Sequence, residues 1–137
     1  MKILACTDGS VPAEKAVNVA AQLANVSDSE LIILHVIESD KHQDKPNLDQ
    51  YGEKYNKAKS IIKNAEKVAS QVGSGIHLNS KIVVGPPSEE IVRIAEQEGT
   101  DALFIGTKGV SFFRRKPLGS VAYDVVLYAH CPITVVR

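Results

Sequence analysis

The residues that decide the fold read Ile3-Leu4-Ala5-Cys6-Thr7-Asp8-Gly9-Ser10, a solid apolar run that ends in a polar turn. An apolar run without alternation is typical of a strand that is covered on both faces, as in a parallel sheet. Pro12 follows the turn, at a position that is favoured in the first turn of a helix. The stretch beyond it repeats at helical spacing, at Ala13, Ala16, Val17, Ala20 and Ala24. The sequence therefore predicts a strand, a tight turn and a helix in succession.

The same alternation continues to the end of the chain. Further apolar runs predict strands at residues 31–37, 82–84, 102–105 and 133–136. Apolar residues at helical spacing predict one unbroken helix over 48–72 and further helices around 91–95 and 118–129. The polar stretch 38–47 is predicted to form a surface loop. The alternating order indicates an α/β fold, namely a doubly wound, five-stranded parallel sheet with helices on both faces.

Composition indicates an ordinary globular protein. The chain has 137 residues, of which 44% are hydrophobic and 23% are charged, and these values exclude a disordered or collagen-like polymer. The length fits a single domain over residues 1–137. Sixteen Lys and Arg balance sixteen Asp and Glu, whereas proteins that bind nucleic acid or anionic membranes usually carry a basic excess. We therefore expect neither kind of partner.

The two cysteines indicate a reducing compartment. Cys6 and Cys131 lie far apart in the sequence, each in or beside an apolar run, so we expect them to pack as free thiols. The apolar runs are shorter than the ~20 residues that span a bilayer, and the first is too short for the core of a signal peptide. These features together predict a cytoplasmic protein.

The stretch from Gly106 to Ser120 carries most of the functional information. It begins Gly106-Thr107-Lys108-Gly109 and ends in Gly119-Ser120, immediately before a predicted helix. Glycines let the backbone approach a bulky anion, and the N–H groups at a helix start attract negative charge. Four cations lie within the stretch and no acid opposes them, at Lys108, Arg114, Arg115 and Lys116. The pattern favours a polyphosphate site, although the same glycines could simply end a strand and start a turn around a solvated loop. It matches neither GxxxxGK[ST] nor GxGxxG.

The remaining polar candidates are few. Asp8, at the tip of the first strand, could accept a hydrogen bond from a base or a ribose, or could form an Asp-Gly turn that caps the first helix. We interpret His35, inside an apolar strand, as a hydrogen-bonded core histidine. The other histidines lack the spacing of metal ligands, so we predict no metal site built by the protein alone.

The sequence resembles the universal stress protein family along nearly the whole chain. The resemblance rests on the first run and turn, on Leu34-His35-Val36-Ile37, on Gly85-Pro86-Pro87 and on residues 131–137. Its most specific element is the nucleotide motif G-x2-G-x9-G-[ST], which is matched without an insertion by Gly106, Gly109, Gly119 and Ser120.

The resemblance implies the strand order 3-2-1-4-5, a homodimer formed largely through the last strand, and membership of the ATP-binding branch. It places adenine at Asp8 and at the Val36 backbone, and the phosphates at the glycines and the following helix. The binding residues that it implies are Thr7, Asp8, Val36, Gly106, Thr107, Lys108, Gly109, Gly119, Ser120 and Val121. Magnesium or manganese would accompany a triphosphate. The stretch 111–117, with Phe112 and Phe113, is bulkier and more basic than the usual loop and leaves the choice among ATP, ADP and AMP open.

Three classes of function follow from these features. The first is a regulatory stress-response dimer that binds ATP and reports it to an unidentified protein partner. The alternative is a dimeric interaction module of the same fold that binds no ligand. The third is an enzyme, but apart from Asp8 the two loops offer no obvious base to position water, so we expect slow or no hydrolysis and no catalytic residues.

Overall fold

A five-stranded sheet forms the centre of the molecule. The structure, a computed structural model, describes residues 1–107 and 118–137. All strand pairs are parallel, and the order is β3-β2-β1-β4-β5. The strands are β1 (Lys2–Cys6), β2 (Glu30–Glu38), β3 (His77–Gly85), β4 (Ala102–Gly106) and β5 (Ile133–Val136). The predicted fold class and strand order are confirmed.

Helices cover both faces of this sheet. They are α1 (Val11–Ser27), α2 (Leu48–Tyr51), α3 (Glu53–Val72), α4 (Pro87–Gln97) and α5 (Ser120–Tyr128). One apolar core lies between the sheet and helices α1 and α3, and a second lies between the sheet and helices α4 and α5. β1 and β4 are buried between the two layers along nearly their whole length, which explains why their sequences are solid apolar runs.

Strand β3 is longer than its apolar run predicted. It begins at His77 rather than at residue 82, and His77 and Asn79 are exposed. Among the described strands β3 pairs only with β2 and therefore lies at an edge of the sheet. An edge strand can present polar side chains to solvent, so hydrophobicity alone could not locate where this strand begins.

The prediction of one unbroken helix over 48–72 is wrong at a single residue. Gly52 has φ 54° and ψ −125°, a conformation that no α-helix contains, and it separates α2 from α3. The side chain of Asn47 accepts a hydrogen bond from the Gln50 N–H at 3.0 Å and so caps α2. Tyr51 of α2 packs against the same small cluster as Ala58 of α3, so the apolar spacing continues across Gly52 and periodicity alone could not detect the break.

The loop predicted at residues 38–47 is fastened to the edge strand and to α4. Gln43 forms an antiparallel bridge with Val84. Arg93 donates a 2.6 Å hydrogen bond to the Asp44 carboxylate and a 2.7 Å hydrogen bond to the Glu90 carboxylate. The other Glu90 oxygen contacts the His42 ring. Because Glu90 is only 4% exposed, its charge depends on these partners for compensation.

The face of helix α1 that packs on the sheet is mostly alanine, whose small side chain permits a close approach. Ala16, Ala20 and Ala24 are at most 1% exposed. Gly106, at the end of β4, lies directly against the start of this helix. A Cβ atom on Gly106 would lie 2.8 Å from the Ala13 nitrogen and 2.8 Å from the Pro12 carbonyl carbon. A glycine at this position therefore lets β4 and α1 meet backbone to backbone.

In the described part of the chain, none of the helices is both long enough and apolar enough to cross a membrane.

Candidate functional site

A cleft of about 890 Å³ opens at the carboxyl ends of β1, β2 and β4. The central strand β1 pairs with β2 on one side and with β4 on the other, so the connections that leave these strands diverge above it. Ligands of doubly wound proteins bind at such a point, and a cleft of this volume accommodates a small organic ligand. Seven of the predicted binding residues line it, namely Thr7, Asp8, Val36, Gly106, Gly119, Ser120 and Val121.

The turn between β1 and α1 forms one wall of the cleft. An Asp8 carboxylate oxygen accepts a 2.9 Å hydrogen bond from the Ser10 N–H, and the Thr7 hydroxyl accepts one from the Gly9 N–H at 3.1 Å. Gly9 has φ 84°, the left-handed region that favours glycine. The helix cap is Ser10, whose hydroxyl accepts from the Ala13 N–H at 3.3 Å. Asp8 therefore shapes the turn and lines the cleft, but the residue that caps α1 is Ser10 and not Asp8, the residue that the Asp-Gly interpretation proposes.

The first and last parts of the glycine motif meet at the opposite wall. The Gly119 N–H donates a 2.6 Å hydrogen bond to the Thr107 carbonyl oxygen, which joins the end of β4 to the start of α5. Thr107 is not among the described residues that line the cleft, and its own N–H donates to the Val136 carbonyl oxygen on β5 at 2.8 Å. Lys108 and Gly109 lie outside the described residues, as do Phe112 and Phe113.

The start of α5 offers hydrogen-bond donors to the cleft. Gly119 is the N-cap residue and has no side chain to cap the helix. The first intrahelical hydrogen bond runs from the Tyr123 N–H to the Gly119 carbonyl oxygen at 3.0 Å. A helix leaves the N–H groups of its first residues without an intrahelical acceptor, and in α5 these are the N–H groups of Ser120, Val121 and Ala122. Ser120 and Val121 line the cleft. Such a helix end attracts an anion through these donors and through the helix dipole.

His35 holds a defined orientation at the floor of the cleft. Its Nδ1 lies 2.8 Å from the Thr7 carbonyl oxygen, and because a carbonyl can only accept, Nδ1 carries the proton. Burial lowers the pKa of His35 and Lys57 lowers it further, against the opposing effects of the Thr7 hydrogen bond and Asp8. The predicted hydrogen-bonded histidine is confirmed, and the ring also lines the cleft, which the sequence did not indicate.

The remaining walls come from residues that the sequence analysis missed. Helix α3 contributes Lys54, Lys57 and Ile61, and the start of α4 contributes Pro87 and Ser88. One signal could have found them. A helix that follows a parallel strand begins at the carboxyl edge of the sheet, so the first turns of α3 and α4 lie near the switch point. Glu38 and Asp124 also line the cleft.

The two cysteines pack rather than react. Both are free thiols, Cys6 buried and Cys131 half-buried. Burial, with a smaller contribution from Cys131, raises the pKa of the Cys6 thiol far above its usual value. Because the thiolate is the reactive form, Cys6 behaves as a small apolar core residue, as predicted.

The fold and the cleft define a doubly wound α/β protein whose switch point is suited to an anionic ligand. The chain matches the universal stress protein family over residues 1–137, and it belongs to that family. It is 31% identical over 140 residues to the universal stress protein MJ0531 of Methanocaldococcus jannaschii, with 99% of this chain and 81% of that protein covered. It is 28% identical over 147 residues to the universal stress protein YxiE of Bacillus subtilis, with 99% and 98% covered.

Solved structures agree with this assignment. The fold is similar to that of a universal stress protein in complex with cAMP, with a TM-score of 0.82 and 26% identity over 100% of this chain and 97% of that one. It is also similar to MJ0577 of Methanocaldococcus jannaschii, with a TM-score of 0.75 and 31% identity over 98% of this chain and 94% of that one.

Proposed function

We propose that this protein binds an adenine nucleotide, ATP foremost, and acts as a regulatory stress-response protein of the ATP-binding branch of its family. The observation that carries the proposal is the position of the α5 N-terminus. The N–H groups of Ser120 and Val121, for which α5 itself offers no acceptor, lie at the same cleft as Asp8 and Val36. One cleft therefore offers an anion site at one wall and polar groups for a nucleoside at another.

The phosphates would lie at the start of α5. The backbone donors there need no side chain, and the Ser120 hydroxyl adds a further donor. Gly106, at the end of β4, lines the same cleft. Lys108 and Gly109 belong to the same motif in the sequence and would complete the phosphate contacts.

The nucleoside would lie between the ends of β1 and β2. Asp8 keeps its carboxylate at the cleft wall through its hydrogen bond from the Ser10 N–H, and the half-buried Val36 offers its backbone. The cAMP complex of a universal stress protein with the same fold supports an adenine nucleotide as the ligand class. The identity of the phosphate chain stays open among ATP, ADP and AMP.

A divalent cation would enter with the triphosphate. Among the described residues no group of three His, Cys, Asp or Glu side chains is placed to hold a metal ion, so these residues do not fit a resident metal site. Mg²⁺ commonly binds through nucleotide phosphates and few protein ligands, which suits this arrangement. We expect slow or no hydrolysis, and a turnover in the range of ordinary kinases, ~1–100 per second, would contradict that expectation.

A second candidate function is a dimeric interaction module that binds no ligand. Its support is the exposed apolar face of α5, where Tyr123 is 55%, Leu127 56% and Tyr128 64% exposed. Such a patch favours association with another protein surface. The last strand, β5, pairs only with β4 among the described strands, and its other edge is the proposed homodimer contact. We expect the dimer and its unidentified protein partner to work in the cytoplasm, in keeping with the free thiols.

Two measurements on the freshly purified protein separate these functions. Mass spectrometry of the small molecules released on denaturation should detect an adenine nucleotide. Addition of millimolar ATP should raise the melting temperature, because a ligand that binds only the native state stabilises it. The absence of both a released nucleotide and a thermal shift would reject nucleotide binding and favour the interaction module.

A further inference from the structure

Helix α3 presents two lysines to the cleft. Lys54 and Lys57 both line it, and at three residues apart they lie on one face of the helix. Ile61, one turn further on, anchors the same face, since its side chain lies 3.1 Å from where a Cβ on Gly9 would be. This face of α3 is therefore held against the turn that carries Asp8.

The charges of these lysines are not neutralised by protein carboxylates. In the described parts of the chain neither Lys54 nor Lys57 forms an ion pair, whereas Lys2 and Lys81 both pair with Glu98. Residues 108–117 contain no Asp or Glu that could supply one. The charge of Lys57 also helps to lower the pKa of His35 at the floor of the cleft.

Two opposite walls of the cleft thus favour negative charge. The start of α5 lies on one face of the sheet, and the lysines of α3 lie on the other. Of the three acids on the cleft wall, Asp8 is engaged by the Ser10 N–H, and Glu38 and Asp124 form no ion pair with the lysines in the described residues. An anionic group between the two walls would give Lys54 and Lys57 the ion-pair partner that none of the described residues provides.

We propose that Lys54 and Lys57 are ligand-binding residues that contact the anionic part of the bound nucleotide from the α3 side, opposite the N-terminus of α5. The inference rests on the proposed function and adds a specificity rule to it. Affinity rises with the negative charge of the nucleotide, and part of that rise comes from α3 rather than from the glycine motif.

The test compares a double variant with a matched control. Lys54→Gln/Lys57→Gln removes two charges from the cleft, and Lys63→Gln/Lys67→Gln removes two from exposed positions of the same helix that do not line it. Calorimetric titration with adenosine, AMP and ATP is carried out on the wild type and on both variants. We expect the cleft variant to lose about tenfold in ATP affinity, less for AMP and little for adenosine. Its ATP affinity should also fall less steeply with added salt than that of the wild type.

Each outcome is decisive. Wild-type affinity for ATP in the cleft variant, or a loss no larger than that of the control variant, would overturn the role of the lysines while leaving nucleotide binding intact. Equal losses for adenosine and ATP would overturn it as well, because the lysines would then act through shape rather than charge. Failure of the wild type to bind any of the three ligands would overturn the proposed function and this inference with it.

Discussion

The Gly119 N–H donates to the Thr107 carbonyl oxygen across 2.6 Å, so two residues that lie twelve positions apart are in direct contact. Gly106 precedes one partner and Ser120 follows the other. The bond therefore fixes the end of β4 and the start of α5 as one continuous wall of the cleft. The first prediction tests the anion site on that wall.

Gly119→Asp should weaken nucleotide binding strongly without loss of stability. Asp is a favoured N-cap residue, and Gly119 has φ −67°, which any residue adopts, so α5 should gain roughly a few tenths of a kcal/mol. The new carboxylate would, however, take the place of a phosphate. Gly119→Asn caps the helix without the charge and serves as the control. We expect titration calorimetry to show an ATP affinity at least about tenfold weaker for Asp than for Asn; equal affinities would contradict an electrostatic anion site.

Gly106→Ala should destabilise the protein. Its Cβ would lie 2.8 Å from the Ala13 nitrogen, closer than such atoms approach, so β4 or α1 would have to move. We expect a loss of about 1–3 kcal/mol in the free energy of unfolding, measured by urea denaturation. Gly75→Ala is the matched control, because nothing lies within 4 Å of its Cβ position. A Gly106→Ala variant as stable as this control would disprove the close contact.

The lowered pKa of His35 should make stability depend on pH. Between the ordinary value of 6.5 and the lowered value, the unfolded chain binds more protons than the folded chain. The free energy of unfolding therefore falls as the pH is lowered through that interval. In urea denaturation, the free energy of unfolding of His35→Gln should fall less between about pH 7 and about pH 5 than that of the wild type. The exposed His77→Gln variant is the control and should keep the wild-type slope; a His35→Gln curve parallel to the wild type would refute the assignment.

Arg93→Met should loosen the loop at residues 38–47. The variant keeps the apolar stem but leaves the buried Glu90 without its guanidinium partner and removes the hydrogen bond that lowers the pKa of Asp44. We expect a loss of about 1–3 kcal/mol in the free energy of unfolding and faster amide exchange at Gln43. The exposed Lys63→Met serves as the control. Unchanged exchange at Gln43 would show that the loop does not depend on this cluster.

The sequence predicted the strands and helices along the chain nearly completely because periodicity reports burial, whereas the order of the strands within the sheet was implied by the family resemblance. Solid apolar runs located the strands that are covered on both faces, and the alanine spacing located α1. The prediction from periodicity failed at positions where burial does not decide the structure. His77 to Lys81 form part of an edge strand that tolerates polar residues, and Gly52 breaks a helix through its backbone dihedral angles while the apolar pattern continues across it.

The sequence analysis named seven of the 22 described residues that line the cleft as binding residues. The spacing of Gly106 and Gly119, and the position of Asp8 after an apolar run, identified residues that line the cleft. Lys54 and Lys57 resembled the other exposed lysines of α3. These two lysines differ from the others because they lie on the face of the helix that is turned toward the cleft. Which face that is depends on how α3 packs against α1 and β2.

By itself, then, the sequence determined the α/β class, the order of the elements and the glycines of the β4–α5 wall, because each of these follows from local pattern and backbone freedom. Only the tertiary structure decided that Ser10 rather than Asp8 caps α1, that His35 faces the cleft with its proton on Nδ1, and that α3 brings two lysines to the cleft wall. These features arise where separate elements meet, and no single stretch of sequence records the distance between two elements.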